Sequence, residues 1–236
     1  MLISLAKIFL VVIASVLGGI AALLFIPINK QGRAFHWVAR THSKFVLSIC
    51  GVKVKTTGAE NLQPGVSYIY VSNHASGFDI PAVIAGIPDQ IRIVYKKELE
   101  KVPFFGWGLK YGKTYIAIDR ERGTEAVRSL DEAADKIRNG ASVLLFAEGT
   151  RTKDGKLQPF KRGAFNLAVK AGVPVIPLTI NGSFKILPKK KLRIVPGDIT
   201  LVIDKPIAVL KDGGKQEELR LMEEVHQAIT NHYIEQ

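Results

Sequence analysis

No acidic residue occurs before Glu60, and only one cysteine, Cys50, occurs anywhere in the chain. The single thiol excludes an intramolecular disulfide and fits a reducing compartment. No GxSxG elbow is present, so a serine nucleophile of the hydrolase type has no recognisable place. His36, His42, His226 and His232 show no ligand-like grouping with cysteine or carboxylates, which argues against a metal centre. There is no internal repeat, no low-complexity segment and no recognisable nucleic-acid module.

What is present is apolar and basic. The 236 residues are 47% hydrophobic and carry a formal net charge of +12. That length suits one sizeable α/β domain with an appendage, and that charge calls for an anionic partner. The apolar excess sits at the N-terminus. Ile8 to Ile28 reads IFLVVIASVLGGIAALLFIPI without a charge. As a helix it would be about 31 Å long, the hydrocarbon thickness of a bilayer. The run is long for a cleaved signal peptide, and no small-x-small site follows it. Lys7 precedes it, and Lys30, Arg33, Arg40 and Lys44 follow, so the positive-inside bias puts the remainder on the cytoplasmic face. Gly18-Gly19 and Pro27 also permit a helix that re-enters rather than spans.

The next helical pattern puts Phe35, Val38, His42, Phe45, Val46 and Ile49 on one side, with Arg33, Arg40 and Lys44 opposite. Trp37 stands beside the cations. This face could lie on an anionic bilayer or pack on a soluble domain. The expected organisation is therefore membrane-anchoring helices over residues 1–50, forming a hairpin, and an α/β domain over 51–236. Within the domain, strands are expected near Val52–Thr56, Tyr68–Ser72, Ile91–Tyr95, Tyr115–Ile118, Ser142–Ala147 and Val175–Ile180. Helices are expected near Ile80–Ala85, Thr124–Asn139, Ala164–Ala171 and Gln216–Tyr233. Leu192 to Ile203 reads as a hairpin turning at Pro196-Gly197-Asp198. The alternation predicts a mostly parallel central sheet flanked by helices.

The polar clusters follow the strands. NHASGFD (Asn73–Asp79) follows one strand, KKEL (Lys96–Leu99) the next and Asp119-Arg120 the third. EGTR (Glu148–Arg151) and NGS (Asn181–Ser183) follow two more. In a parallel sheet these would meet at the carboxyl edge, where α/β sites lie. His74 and Asp79 share neither a helical nor a strand face, so they meet only if Ser76-Gly77 turns the chain. Asp79 would then bond one imidazole nitrogen and leave the other as a base. Taken alone, the pair reads equally well as a helix-capping aspartate and a surface histidine. No protein nucleophile stands out, because Ser76 suits a turn and Cys50 a buried thiol. The substrate then supplies the nucleophile, an alcohol that attacks an activated acyl group directly. Lys96, Lys97, Arg120 and Arg151 could bind a phosphate on that alcohol, with backbone donors from Gly149 and Thr150.

These motifs, in this order, resemble those of the 1-acyl-sn-glycerol-3-phosphate acyltransferases of the glycerolipid acyltransferase superfamily. NHASGFD is similar to the family's NHxSxxD block, and Lys96–Arg120 resembles the second block, which usually ends in arginine. FAEGTRT (Phe146–Thr152) resembles the third, with Ala147 where proline is commoner, and VPVIPL (Val173–Leu178) resembles the fourth. The resemblance implies acyl transfer from acyl-CoA or acyl-carrier protein to the 2-hydroxyl of lysophosphatidic acid. It implies His74 as general base and Asp79 as its orienting partner. It implies Lys96, Arg120 and Arg151 on the phosphate, with Glu148, Gly149 and Thr150 in the same pocket. It also implies no cofactor, no metal and no nucleic-acid partner. The expected surroundings are an anionic membrane surface, which PKKKLR (Pro188–Arg193) could touch if it does not meet an acidic carrier protein or stay solvated.

Overall fold

The structure, a computed structural model, describes residues 2–25, 32–112, 115–118, 123–210 and 213–235. Two sequence-predicted phosphate ligands fall outside this description: Arg120 entirely, and Lys96 in its side chain.

Seven strands form one sheet among the described residues: β1 (Val52–Thr57), β2 (Ile69–Ser72), β3 (Ile91–Lys96), β4 (Ile116–Ile118), β5 (Ser142–Phe146), β6 (Val175–Asn181) and β7 (Gly197–Ile203). Their order is β1-β7-β6-β2-β5-β3-β4. All neighbouring pairs are parallel except β6 with β7. The carboxyl ends of β2, β3, β4, β5 and β6 therefore share one edge, as the motif placement requires.

Strand alternation divides the core in two. Tyr68 and Tyr70 point into a layer with α2 (Arg33–Cys50) and α3 (Asp79–Gly86). Ile69 and Val71 point the other way, against α5 (Gly123–Arg138), α6 (Gly163–Ala171) and α7 (Gly214–His232). Residues of β2 and β6 are buried throughout, which is why both read as apolar or aromatic runs. β7 alternates because one of its faces is partly wet.

α1 (Leu2–Leu24) and α4 (Phe105–Gly112) cover the first layer. α1 is long and apolar enough to cross a membrane, and most of it is not buried in protein. Its contact with α4 is a close one. A Cβ on Gly19 would stand 2.8 Å from the Phe104 carbonyl oxygen, and Gly108 lies against Gly19 and Ala22. Such approaches explain why the sequence hid α4. Gly106, Gly108 and Gly112 lower helix propensity, but a Cβ would collide with the Leu99 and Glu100 backbone at Gly106 and with the Phe35 ring at Gly112, while Gly108 lies in ordinary contact with α1.

Two expectations are corrected. Leu192–Ile203 is not a hairpin: β7 begins only at Gly197, and its antiparallel partner is β6. The preceding segment cannot supply a strand, because Ile194 N–H donates to Ser4 Oγ and Val195 N–H to the Ile186 carbonyl. The buried face of α2 is also shifted. Phe35, Val38, Ser43, Val46, Leu47 and Cys50 are buried, while Phe45 and Trp37 are exposed. Arg40 turns inward and donates to the Ala85 and Ile87 carbonyls at the end of α3, so it is spent on the fold rather than on a bilayer. α2 ends at Gly51, whose left-handed φ of 71° lets its N–H reach back to the Leu47 and Ser48 carbonyls.

Candidate active site

β2 delivers the chain to the carboxyl edge, and Asn73 fixes it there. Its side chain copies a sheet ladder, with Nδ2 donating to the Ile180 carbonyl at 2.9 Å and Oδ1 accepting from the Ile180 amide at 2.8 Å. The chain then turns. His74 Nδ1 lies 2.8 Å from Asp79 Oδ2, and the same oxygen accepts from the Ala75 and Ser76 amides at 2.8 and 2.9 Å. Asp79 is fully buried at the first residue of α3, where the helix dipole favours a carboxylate. A carboxylate only accepts, so Nδ1 is the donor, and the neutral ring held this way has its lone pair on Nε2. The ring is stacked on Phe146 at the end of β5, with centroids 3.8 Å apart. Ser76 Oγ donates to the Leu187 carbonyl and accepts from the Phe78 amide, so its hydroxyl holds the turn.

The second loop follows β5. Glu148 Oε1 accepts from the His74 amide at 2.6 Å and Oε2 from the Gln158 amide at 3.2 Å. The carboxylate thus joins the His74 turn to the loop that leads to α6. Burial pushes the Glu148 carboxyl up to about 7, outweighing the two amide bonds, and the Asp79 charge adds to the rise. Thr152 N–H closes the arrangement by donating to the His74 carbonyl at 2.9 Å.

A cleft of roughly 930 Å³ opens over this edge. His74, Gly149, Thr150 and Arg151 line it, while Glu148 and Asp79 stand behind the wall. Two further cations line it, Lys161 and Lys189. Lys161 lies along Gly149, whose φ of 72° brings the backbone close to the lysine chain. Lys189 Nζ donates to Thr150 Oγ1 at 2.7 Å. Ile80, Ile93, Tyr95 and Leu99 are shared between the cleft and a second cavity of roughly 290 Å³ that runs under α1, α2 and α4. The walls of this slot are almost wholly apolar.

The structure brings together His74, Asp79, Glu148, Gly149, Thr150 and Arg151. NGS leads elsewhere, because Asn181 is occupied by the His232 carbonyl and the Ile234 amide of the C-terminal tail. Sequence reasoning missed Asn73, Phe146, Lys161 and Lys189. Lys189 had a signal in the basic run, but nothing near Lys161 in the chain marks it as a cleft residue.

The Acyltransferase family profile matches residues 53–181, more than half of the chain. The chain is 33% identical over 190 residues to the 1-acyl-sn-glycerol-3-phosphate acyltransferase of Pseudomonas aeruginosa, covering 78% of this chain and 72% of that one. It is 33% identical over 202 residues to a chloroplastic 1-acyl-sn-glycerol-3-phosphate acyltransferase of Arabidopsis thaliana, covering 84% of this chain and 55% of the relative. The chain spans about half the length of the plant and algal relatives that it matches. The crystal structure of the 1-acyl-sn-glycerophosphate acyltransferase of Thermotoga maritima superposes with a TM-score of 0.83 at 28% identity, over 98% of this chain and 93% of that one. By sequence and by fold, the chain belongs to the 1-acyl-sn-glycerol-3-phosphate acyltransferase family.

Proposed function

We propose that the protein transfers a fatty acyl group from an acyl thioester, acyl-CoA or acyl-carrier protein, to the 2-hydroxyl of 1-acylglycerol 3-phosphate, giving phosphatidic acid. The observation that carries this reading is the His74–Asp79 pair opening on the cleft. Nδ1 is held by Asp79, and no described residue is bonded to Nε2. Nε2 removes the proton from the acceptor hydroxyl, and the oxygen attacks the thioester carbonyl. The C–S bond breaks, and the departing thiolate takes the proton back from the imidazolium. No acyl-enzyme is required: Ser76 Oγ is committed to Leu187, and Cys50 is buried with its thiol pushed up by desolvation. Arg151 holds the acceptor phosphate, with Gly149 and Thr150 beside it and Lys96 and Arg120 assigned to the same task by motif. The apolar slot is where an acyl chain would be shielded from water. No metal or other cofactor enters this chemistry.

The same reading places the protein on a membrane, with the catalytic domain on the cytoplasmic face. What supports a helix lying within one leaflet is the tethering of α1 along its length. Ser4 bonds Ile194, Lys7 Nζ donates to the Cys50 carbonyl, Ser15 Oγ meets His42 Nε2 at 3.2 Å, and Gly19 abuts α4.

The test is an acyl-transfer assay of the full chain in anionic vesicles. Each donor type is offered with 1-acylglycerol 3-phosphate and glycerol 3-phosphate in competition. Phosphatidic acid is the expected product. Transfer to glycerol 3-phosphate or another lysolipid would move the protein to a sister specificity. No transfer from either donor would overturn the reading in favour of a membrane-tethered lipid-binding protein.

A further inference from the structure

One charged segment is not used by this chemistry. Residues 187–195, LPKKKLRIV, carry four cations and no acidic side chain. They cross the molecule as a strap between β6 and β7, and three tethers hold it. At its start, the Leu187 carbonyl accepts from Ser76 Oγ in the His74 turn at 2.9 Å. In the middle, Lys189 Nζ donates to Thr150 Oγ1 and to the Arg151 carbonyl at 2.7 and 3.3 Å. At its end, the Ile194 amide donates to Ser4 Oγ of α1 at 3.2 Å. The strap thus touches both loops of the site and the apolar N-terminal helix.

Its outer side has a specific chemistry. Lys190, Lys191, Leu192 and Arg193 are exposed, and none of these three cations pairs with a carboxylate among the described residues. Leu192 is 67% exposed, Val195 is exposed, and Leu2 beside Ser4 is 83% exposed. Lys190 sits at φ 65°, a left-handed conformation that is strained for a residue with a Cβ. An acidic protein would match the charges alone. Cations interleaved with exposed aliphatics, continuous with the bare end of an apolar helix, match the interface of an anionic bilayer.

We propose that the 187–195 strap is a docking surface for anionic phospholipid headgroups, and that its tethers transmit this seating to the His74 turn and the Thr150–Arg151 loop. The proposal rests on the acyl-transfer reading for its activity readout only. Lipid contact outside biases the strap, and the strap sets the backbone on which Asp79 and His74 are aligned. Such coupling between two places needs one bistable element, and the strap is the segment that both share.

The experiment compares the wild-type full chain with Lys190→Glu/Lys191→Glu/Arg193→Glu and with Ser4→Ala. Vesicles are phosphatidylcholine alone or phosphatidylcholine with phosphatidylglycerol. Three measurements are made: vesicle sedimentation, turnover with a short-chain, water-soluble acceptor, and hydrogen exchange over residues 73–79. Wild type is expected to gain roughly fivefold or more in turnover on anionic vesicles, the lower bound of ordinary allosteric coupling. Exchange at the Ala75 and Ser76 amides should slow on the same vesicles. The triple variant should lose about 100-fold of its preference for anionic vesicles, near 1 kcal/mol per cation, together with the turnover gain. Ser4→Ala should sediment as wild type does and lose the gain. If the triple variant keeps the anionic preference, the strap is not the lipid contact. If it keeps that preference and loses apparent affinity for acyl-carrier protein, the surface belongs to an acidic protein. If Ser4→Ala keeps both the gain and the slowed exchange, the tether transmits nothing. A wild type that transfers no acyl group overturns the functional reading instead, while sedimentation and exchange still decide the role of the strap.

Discussion

The carboxyl edge of the sheet and the outer face of α1 are built on opposite rules. At the edge, polar groups are buried and bonded: Asp79 is fully enclosed and accepts from two amides and an imidazole. On α1, apolar groups are bare: Phe9 is 65% and Leu17 60% exposed. Each pattern is costly in the wrong surroundings, a buried carboxylate without partners or an aliphatic stripe in water. Backbone amides resolve the first within the chain. On the proposed reading, a bilayer resolves the second. One region is therefore finished by folding, and the other is left bare among the described residues.

The largest effect that would break this contrast is at the base. His74→Ala should lower turnover by roughly 10²–10⁴-fold, with far-UV circular dichroism and the melting temperature close to wild type. The fold should survive because Asp79 keeps its two amide donors and Glu148 bonds the backbone of residue 74, not its ring. Near-normal turnover in a folded variant would remove His74 from the mechanism.

Next in size is the cost of the buried carboxylate itself. The Glu148 carboxyl, ordinarily near 4.5, titrates at about 7 in the fold because burial disfavours its charge. Between those values the native chain holds a proton that the unfolded chain has lost, so stability falls as pH rises through that window. A shift of this size corresponds to on the order of 3 kcal/mol. Denaturant titrations of wild type and Glu148→Gln at pH 4.5, 6 and 7.5 measure it. The wild type should lose stability relative to the variant as pH rises, with the loss complete above 7. Parallel curves would mean that the two amide bonds fully offset the burial.

How much of this contrast was legible in the sequence differs between the two regions. The edge read well, because five strands running in one direction end in polar clusters and a five-residue spacing joins His74 to Asp79 across a turn. The α1 apolar run was equally plain. What stayed hidden was contact between distant segments. Glu148 reads as a pocket residue, yet its oxygens are spent on amides at residues 74 and 158. Arg40 reads as a surface cation, yet it closes α3. α4 was lost among glycines that sit against three different segments: Gly106 on the Leu99–Glu100 backbone, Gly108 on α1 and Gly112 on Phe35 of α2. The hairpin expected before β7 failed for the same reason, since Ile194 is paired with Ser4, 190 residues away. Periodicity records which face of an element is buried, but not which remote backbone group will meet a given side chain.

A smaller effect concerns recognition. Arg151 lines the cleft, and its guanidinium comes close to Gly77 in the His74 turn. Arg151→Ala should raise the apparent KM for the phosphorylated acceptor by roughly 10–100-fold, the worth of a charge-assisted bond, with kcat changed much less. An unchanged acceptor KM would assign the phosphate to the other cations of the cleft.

The smallest effects separate the two sides of α1 directly. Leu17→Ser alters a side chain that touches little protein, whereas Gly19→Val puts a Cβ against the Phe104 carbonyl oxygen. If the outer face lies in lipid, Leu17→Ser should weaken vesicle partitioning about fivefold, a loss near 1 kcal/mol from removing part of a buried leucine, and leave the melting temperature in detergent unchanged. Gly19→Val should do the reverse, costing about 1–3 kcal/mol of stability through overpacking while vesicle partitioning of the folded fraction holds. A Leu17→Ser variant that lowers the melting temperature without changing partitioning would mean that α1 is covered by protein, not by a bilayer, and the division between a finished edge and a bare face would fail.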